Sequence, residues 1–255
     1  MFRTLRILVL LLVLLGVAVG NWLARARTTS WEQSLRVAVF PIDADGSPAT
    51  ARYIASLTRE TFAPIDAFMA TEARRYAVAL RDPVDIDVAP PVTRLPPTVP
   101  RGGNPLEIAL WSLQLRYWAW TNAQYAGPAP QVRMFVLYHD PERVQRLSHS
   151  LGLQKGLIGV VNAFASDAQA AQNNVIIAHE MLHTLGATDK YDLATNLPLH
   201  PIGFAEPSLD PLVPQRFAEI MGGRIPVSPV EARIPDSLDE VLIGEATALE
   251  IRWVE

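Results

Sequence analysis

Ala171-Gln-Asn-Asn-Val175-Ile-Ile-Ala-His179-Glu180-Met-Leu-His183-Thr-Leu-Gly186-Ala-Thr-Asp189-Lys-Tyr191-Asp192 is the stretch from which the rest of the chain is read. Val175, Ala178, Leu182 and Leu185 recur at helical spacing, and Ile176 and Ile177 widen the same face, so the segment predicts a helix docked on a core. His179 and His183 stand at i and i+4, one turn apart, so both imidazoles can reach a single ion. Glu180 follows the first histidine and can reach a water on that ion without ligating it. Gly186 suits a helix end in the left-handed conformation, which reverses the chain.

Polar residues at 179, 180 and 183 could simply mark the wet side of a helix. The helix is otherwise apolar, however, and two histidines with a glutamate need partners once partly buried. At this chain's residue frequencies the His-Glu-x-x-His spacing arises by chance in about one such sequence in two hundred. Two histidines leave a zinc site short of protein ligands, because catalytic sites usually have three and a water. Asp189, three residues past the reversal, is the expected third ligand. His200, Glu206 and Glu219 are the alternatives further along. Asp192 is a weaker ligand candidate or a partner for a ligating histidine.

Working outward, Leu35–Ile42 and Val84–Val88 read as strands, as do Gln131–Tyr138 and Gly156–Ala165. Ser47-Pro48 opens a helical stretch with an expected break near Pro64. From Pro83 to Pro105 there are seven prolines, most of them in a surface loop. Leu106–Tyr125 reads as a helix whose Trp111, Tyr117, Trp118 and Trp120 are expected to be core. Ser237–Val254 reads as a closing helix with Val241, Leu242, Ala246, Leu249 and Trp253 on its packing face. His139 and His149, near loop starts, are expected to be solvated. Strands mixed with helices of these lengths, and no internal repeat, predict one α+β domain.

The chain has 255 residues, a formal charge of −4 and no cysteine. Without cysteine there is no disulfide framework, thiolate zinc site, iron–sulfur cluster, cysteine nucleophile or lipid-attachment thiol. The acidic balance gives a nucleic-acid-binding role no electrostatic support. Residues 1–30 carry Arg3, Arg6, Arg25 and Arg27 and no acid, which leaves the remainder at −8. Between Arg6 and Arg25 lie 18 uncharged residues, about 27 Å as a helix, just short of a bilayer core of about 30 Å. This is a signal-anchor with Trp22, Arg25 and Arg27 at the interface, or a signal peptide cleaved after Ala18-Val19-Gly20 or Ala24-Arg25-Ala26. Either way residues 31–255 are expected to be exported: held outside the cytoplasm by a single membrane pass, or secreted or periplasmic after cleavage. Nothing in the sequence specifies an oligomeric state.

His179-Glu180-x-x-His183-x-x-Gly186-x-x-Asp189 resembles the signature of the metzincin zinc peptidases, in the snapalysin-like variant with aspartate as third ligand. Glu219-Ile220-Met221-Gly222-Gly223 resembles the methionine turn of that family. The resemblance covers about residues 156–223 and implies a single zincin-like domain with a mixed twisted sheet and an active-site helix behind the N-terminal membrane helix. It also implies an edge strand that pairs with extended substrate, a place matched in sequence order by Gly156–Ala165. The implied activity is Zn²⁺-dependent endopeptidase action on protein or peptide substrates, with His179, His183 and Asp189 on the metal and Glu180 as general base. Tyr191 is a candidate oxyanion donor or a packing residue. The alternative is a non-catalytic metal-binding or protein-binding envelope module that keeps the fold.

Overall fold

The computed structural model describes residues 28–254 apart from 101, 103, 149 and 155, and also residues 6, 7, 11, 12 and 16. The expected membrane segment and His149 therefore lie almost wholly or wholly outside the described residues. Among the described residues no helix is long and apolar enough to cross a membrane.

A five-stranded mixed sheet organises the α+β domain. Its strands are β1 (Leu35–Asp43), β2 (Val84–Val88), β3 (Val132–His139), β4 (Leu151–Leu153) and β5 (Ile158–Phe164), in the order β2-β1-β3-β5-β4. The first four in that order are parallel, with Val37 opposite Val132 and Met134 opposite Gly159; β4 runs antiparallel along the edge. Parallel strands need crossovers. β1 and β2 are joined through α1 (Pro48–Ser56) and α2 (Arg59–Arg75), β2 and β3 through α3 (Pro105–Asn122), and β3 and β5 through the segment carrying β4; a short 3₁₀ turn then leads from β5 into α4 (Ala170–Leu185).

Alternation along the strands divides the core in two. Val37, Val39, Met134, Val136 and Val161 face α1, α2 and α4, where Ile65, Met69, Ile177 and Leu182 meet them. Ala38, Phe40, Ile42 and Phe135 face α3 through Trp111, Leu115 and Ala119. Burying each of the larger side chains contributes about 1.5–3 kcal/mol.

Several expectations need correction. The break falls at Leu57–Thr58, where the Thr61 hydroxyl accepts from the Thr58 N–H and starts a new helix. Pro64 sits inside α2, where it gives up one helical hydrogen bond without ending the helix. In α3 only one narrow face packs: Trp111 is buried and the Trp118 ring meets Phe135 edge-on at 4.7 Å. Tyr117 and Trp120 are instead 66% and 77% exposed, together with Leu106, Leu110 and Leu113, because among the described residues no element covers the helix from outside. The tail is not one helix. A 3₁₀ turn, strand β7 (Val241–Leu242) and the short α5 (Glu245–Glu250) replace it, since Val241 pairs with Ala218 of β6 (Ala218–Glu219). Leu249 is exposed. His139 ends β3 with its Nε2 2.9 Å from Asn162 Oδ1, and so is paired, not solvated.

The edge position also differs. Gly156–Ala165 supplies β5, which lies inside the sheet, and the edge is the three-residue β4. A Cβ on Gly152 of β4 would overlap the Glu180 carbonyl oxygen and the His183 Cβ, so this edge passes α4 at a distance only glycine permits. Gly152→Ala is expected to cost about 1–3 kcal/mol through overpacking, read from the urea unfolding midpoint. An unchanged midpoint would mean that β4 is not seated against the helix this way.

Candidate metal centre

Helix α4 is fixed at both ends before any metal is considered. Asn173 Nδ2 donates to Phe164 O (2.9 Å) and Asn174 Nδ2 to Thr61 O (2.8 Å), tying its first turns to β5 and α2. Val175, Ala178, Leu182 and Leu185 are buried as their spacing predicts. Gly186 ends the helix at φ 109°, and Ala187 N–H closes the turn on Leu182 O. A non-glycine residue would be strained there.

The reversal aims the next residues back at the helix. Lys190, almost wholly buried, donates from Nζ to Thr188 O (2.9 Å) and to Glu250 Oε2 (2.7 Å), while Thr188 donates twice to Glu250. This clamp holds both neighbours of Asp189. Its Oδ1 lies 3.2 Å from His179 Nε2 and 3.1 Å from His183 Nε2, and the two Nε2 atoms are 3.1 Å apart.

The other ring nitrogens decide the protonation. His179 Nδ1 is 2.8 Å from Ile220 O, and His183 Nδ1 is 2.8 Å from Ala187 O. A carbonyl can only accept, so both Nδ1 atoms carry hydrogen, and each ring in its neutral form turns its lone pair at Nε2 toward the other. A proton shared among these atoms satisfies them; when it leaves, two nitrogen lone pairs and a carboxylate oxygen converge on one point. Tetrahedral zinc at its usual bond lengths would hold such atoms about 3.3–3.5 Å apart, close to the triangle seen. His179, Glu180 and His183 form a group that could bind a metal ion.

Electrostatics draw positive charge to this point. Burial disfavours charge on His179, but the Asp189 carboxylate, the Glu180 charge and the Ile220 carbonyl outweigh it and raise its pKa. Burial would raise Asp189 too, yet its bonds to the two histidines hold it well below the usual carboxylate range. The Glu180 pKa is raised by burial, which the imidazoles only partly offset. Glu180 Oε2 is buried without a hydrogen-bond partner. Such an orphan is costly unless something absent from the protein atoms completes it, and a water on a metal held by the triangle would do so. The residues therefore fit a metal.

The turn 219–223 supports the site from the far side. Ile220 gives its carbonyl to His179, and Met221, fully buried, accepts the Lys190 N–H at 2.9 Å. Glu219 is also buried. Its carboxylate accepts from Gly222 N (2.7 Å), Gly244 N (3.1 Å) and Thr247 Oγ1 (2.6 Å), which braces the turn against α5.

The alternative ligands are thereby occupied elsewhere. Glu219 holds that brace, Glu206 pairs with Arg216, and His200 Nε2 contacts Pro207 O at 3.2 Å. Asp192 accepts from Ala194 N, Thr195 N and Thr195 Oγ1 in a local turn, so it neither ligates nor orients a histidine. Tyr191 lies beside the triangle, its ring 6.5 Å from that of His179; its pKa is pushed up to about 12 by burial and by the charges of Asp189 and Glu180. A cleft of about 190 Å³ above the triangle is bounded by Leu151, Gly152, Glu180 and Tyr191.

Gly152, Lys190 and Glu250 are the positioning residues that the sequence did not single out. Lys190 left one trace, as one of only two lysines in the chain; Glu250, some 60 residues away in α5, left none. A scan against models of known protein families finds no match for the chain, and neither does a search of curated proteins.

Proposed function

We propose that this protein is a zinc-dependent endopeptidase of metzincin type, exported and held at the membrane by its N-terminal apolar segment, acting on protein or peptide substrates. The observation that carries the reading is the convergence of His179 Nε2, His183 Nε2 and Asp189 Oδ1 beside the unpartnered Glu180 Oε2. Three potential ligand atoms in a triangle suit a divalent cation, and two imidazole nitrogens with one carboxylate oxygen suit zinc. A carboxylate with one buried oxygen unpartnered next to them is what a hydrolase needs and a purely structural site does not.

Bound zinc would supply an acidified water and polarise the scissile carbonyl. The chain's own groups do the rest. Glu180 takes the water proton at Oε2 and returns it to the departing amine nitrogen. Tyr191, protonated at neutral pH, donates its O–H to the oxygen that gains charge. The outer edge of β4, beside the triangle at Gly152, offers backbone groups to an extended substrate in the manner of strand addition. Burial around Glu180 keeps the proton transfer out of bulk water.

The test uses the full chain in detergent. We expect one zinc per chain by elemental analysis, cleavage within a blocked peptide library, loss of cleavage on chelation and return on adding Zn²⁺. Stoichiometric zinc without cleavage of any peptide would favour the non-catalytic metal-binding module instead.

A further inference from the structure

Beside the metal centre lies a second cavity of about 300 Å³, sharing His179, Glu180 and Tyr191 with the first. Its wall is mixed: Val175, Ile176, Ile220 and Ile234 form an aliphatic part, and Asn162 and Asn196 are among the polar side chains beside it. Arg224, half-buried directly after the 219–223 turn, is the single lysine or arginine lining it.

Among the described residues its guanidinium makes no hydrogen bond or ion pair. Other arginines of this fold do: Arg59 pairs with Asp85, Arg75 with Glu72, Arg216 with Glu206 and Arg233 with Glu240. A guanidinium keeps its charge in any protein setting and presents a planar fork of donors matched to a carboxylate. Half-buried and so partly removed from water, that fork gains more from a carboxylate than it would on the open surface. Glu180, on the same wall, is an acid, so an anionic group would be repelled from this cleft unless a cation received it. Gly223, at φ 70°, sets the direction in which the chain leaves the turn for Arg224.

We infer that Arg224 recognises a carboxylate on the substrate, so that the bond cut is flanked by an acidic side chain or by a free C-terminal carboxylate. This deepens the peptidase reading and rests on it. The two sources share one chemistry and are told apart by the substrates used.

The experiment compares end-blocked peptides carrying Glu, Gln or Lys at each position flanking the cleaved bond, and a matched pair with free or amidated C-terminus. Zinc-loaded full-length protein should favour a carboxylate over its amide by about tenfold or more in kcat/KM, the scale of a charged hydrogen bond. Arg224→Leu should erase that ratio, and Arg224→Lys should restore part of it. In parallel, fluorescence anisotropy follows binding of the same peptides to the Glu180→Gln protein, with and without Arg224→Leu. Equal binding of the Glu and Gln peptides and of the two C-terminal forms would overturn the assignment whatever the cleavage assay gives. Selective binding that depends on Arg224, with no cleavage by the wild-type chain, would support the carboxylate site and overturn the peptidase reading.

Discussion

Glu180→Gln is expected to leave one zinc per chain and an unchanged unfolding midpoint while lowering kcat by about 10²–10⁴, the usual contribution of a positioned general base. The amide has the same shape and fits the same buried place. It cannot take a proton at neutral pH, so the loss should appear in kcat with little change in KM. Glu180 is 6% exposed, its Oε2 has no partner, and its backbone lies in the middle of a helix held by Asn173 and Asn174. A residue with only a packing role would show the reverse pattern, with altered stability and unaltered turnover. Zinc bound normally and turnover equal to wild type would remove Glu180 from the chemistry and the peptidase reading with it.

That such a prediction can be made at residue level reflects how local the central signal is. The apolar face of α4, the i and i+4 histidines, the reversal at Gly186 and the placing of Asp189 all lie within one short stretch, where periodicity and helix-ending rules apply directly. Met221 was legible for the same reason, through the glycines that follow it. Features set by distant partners were not. Leu151-Gly-Leu153 is too short to read as a strand, and what makes it the sheet edge is its pairing with β5 and its close pass over α4. Val241-Leu-Ile243 carries apolar residues that suit a helix equally well until Ala218 pairs with Val241. In α3 every turn is apolar, so composition could not tell the face built on Trp111, Leu115 and Ala119 from the exposed one bearing Tyr117 and Trp120. The clamp from Lys190 to Glu250 spans most of the C-terminal third, beyond any spacing rule.

Asp189→Ala is expected to weaken zinc binding by more than about 100-fold. Changing a residue that merely orients a ligand costs 10–100-fold, and removing a ligand should cost more. The carboxylate also brings the only negative charge among the three convergent atoms. With it the site carries one positive charge fewer than three neutral imidazoles would give, and the alanine variant leaves two nitrogens facing an ion with no counter-charge. Competition with a zinc-binding dye reads the change directly. His200→Ala and Glu206→Ala serve as controls, because those side chains are engaged with Pro207 and Arg216, and both should bind zinc like the parent. Asp189→His distinguishes charge from ligand count. If the imidazole reaches the ion, affinity returns at least in part, and the bound water, now under a more positive centre, should ionise at lower pH and shift the acid limb of the activity profile downward. Unchanged affinity in Asp189→Ala would mean that the 3.1–3.2 Å approach of Oδ1 to both histidines is a hydrogen-bonding contact alone and that another group completes the site.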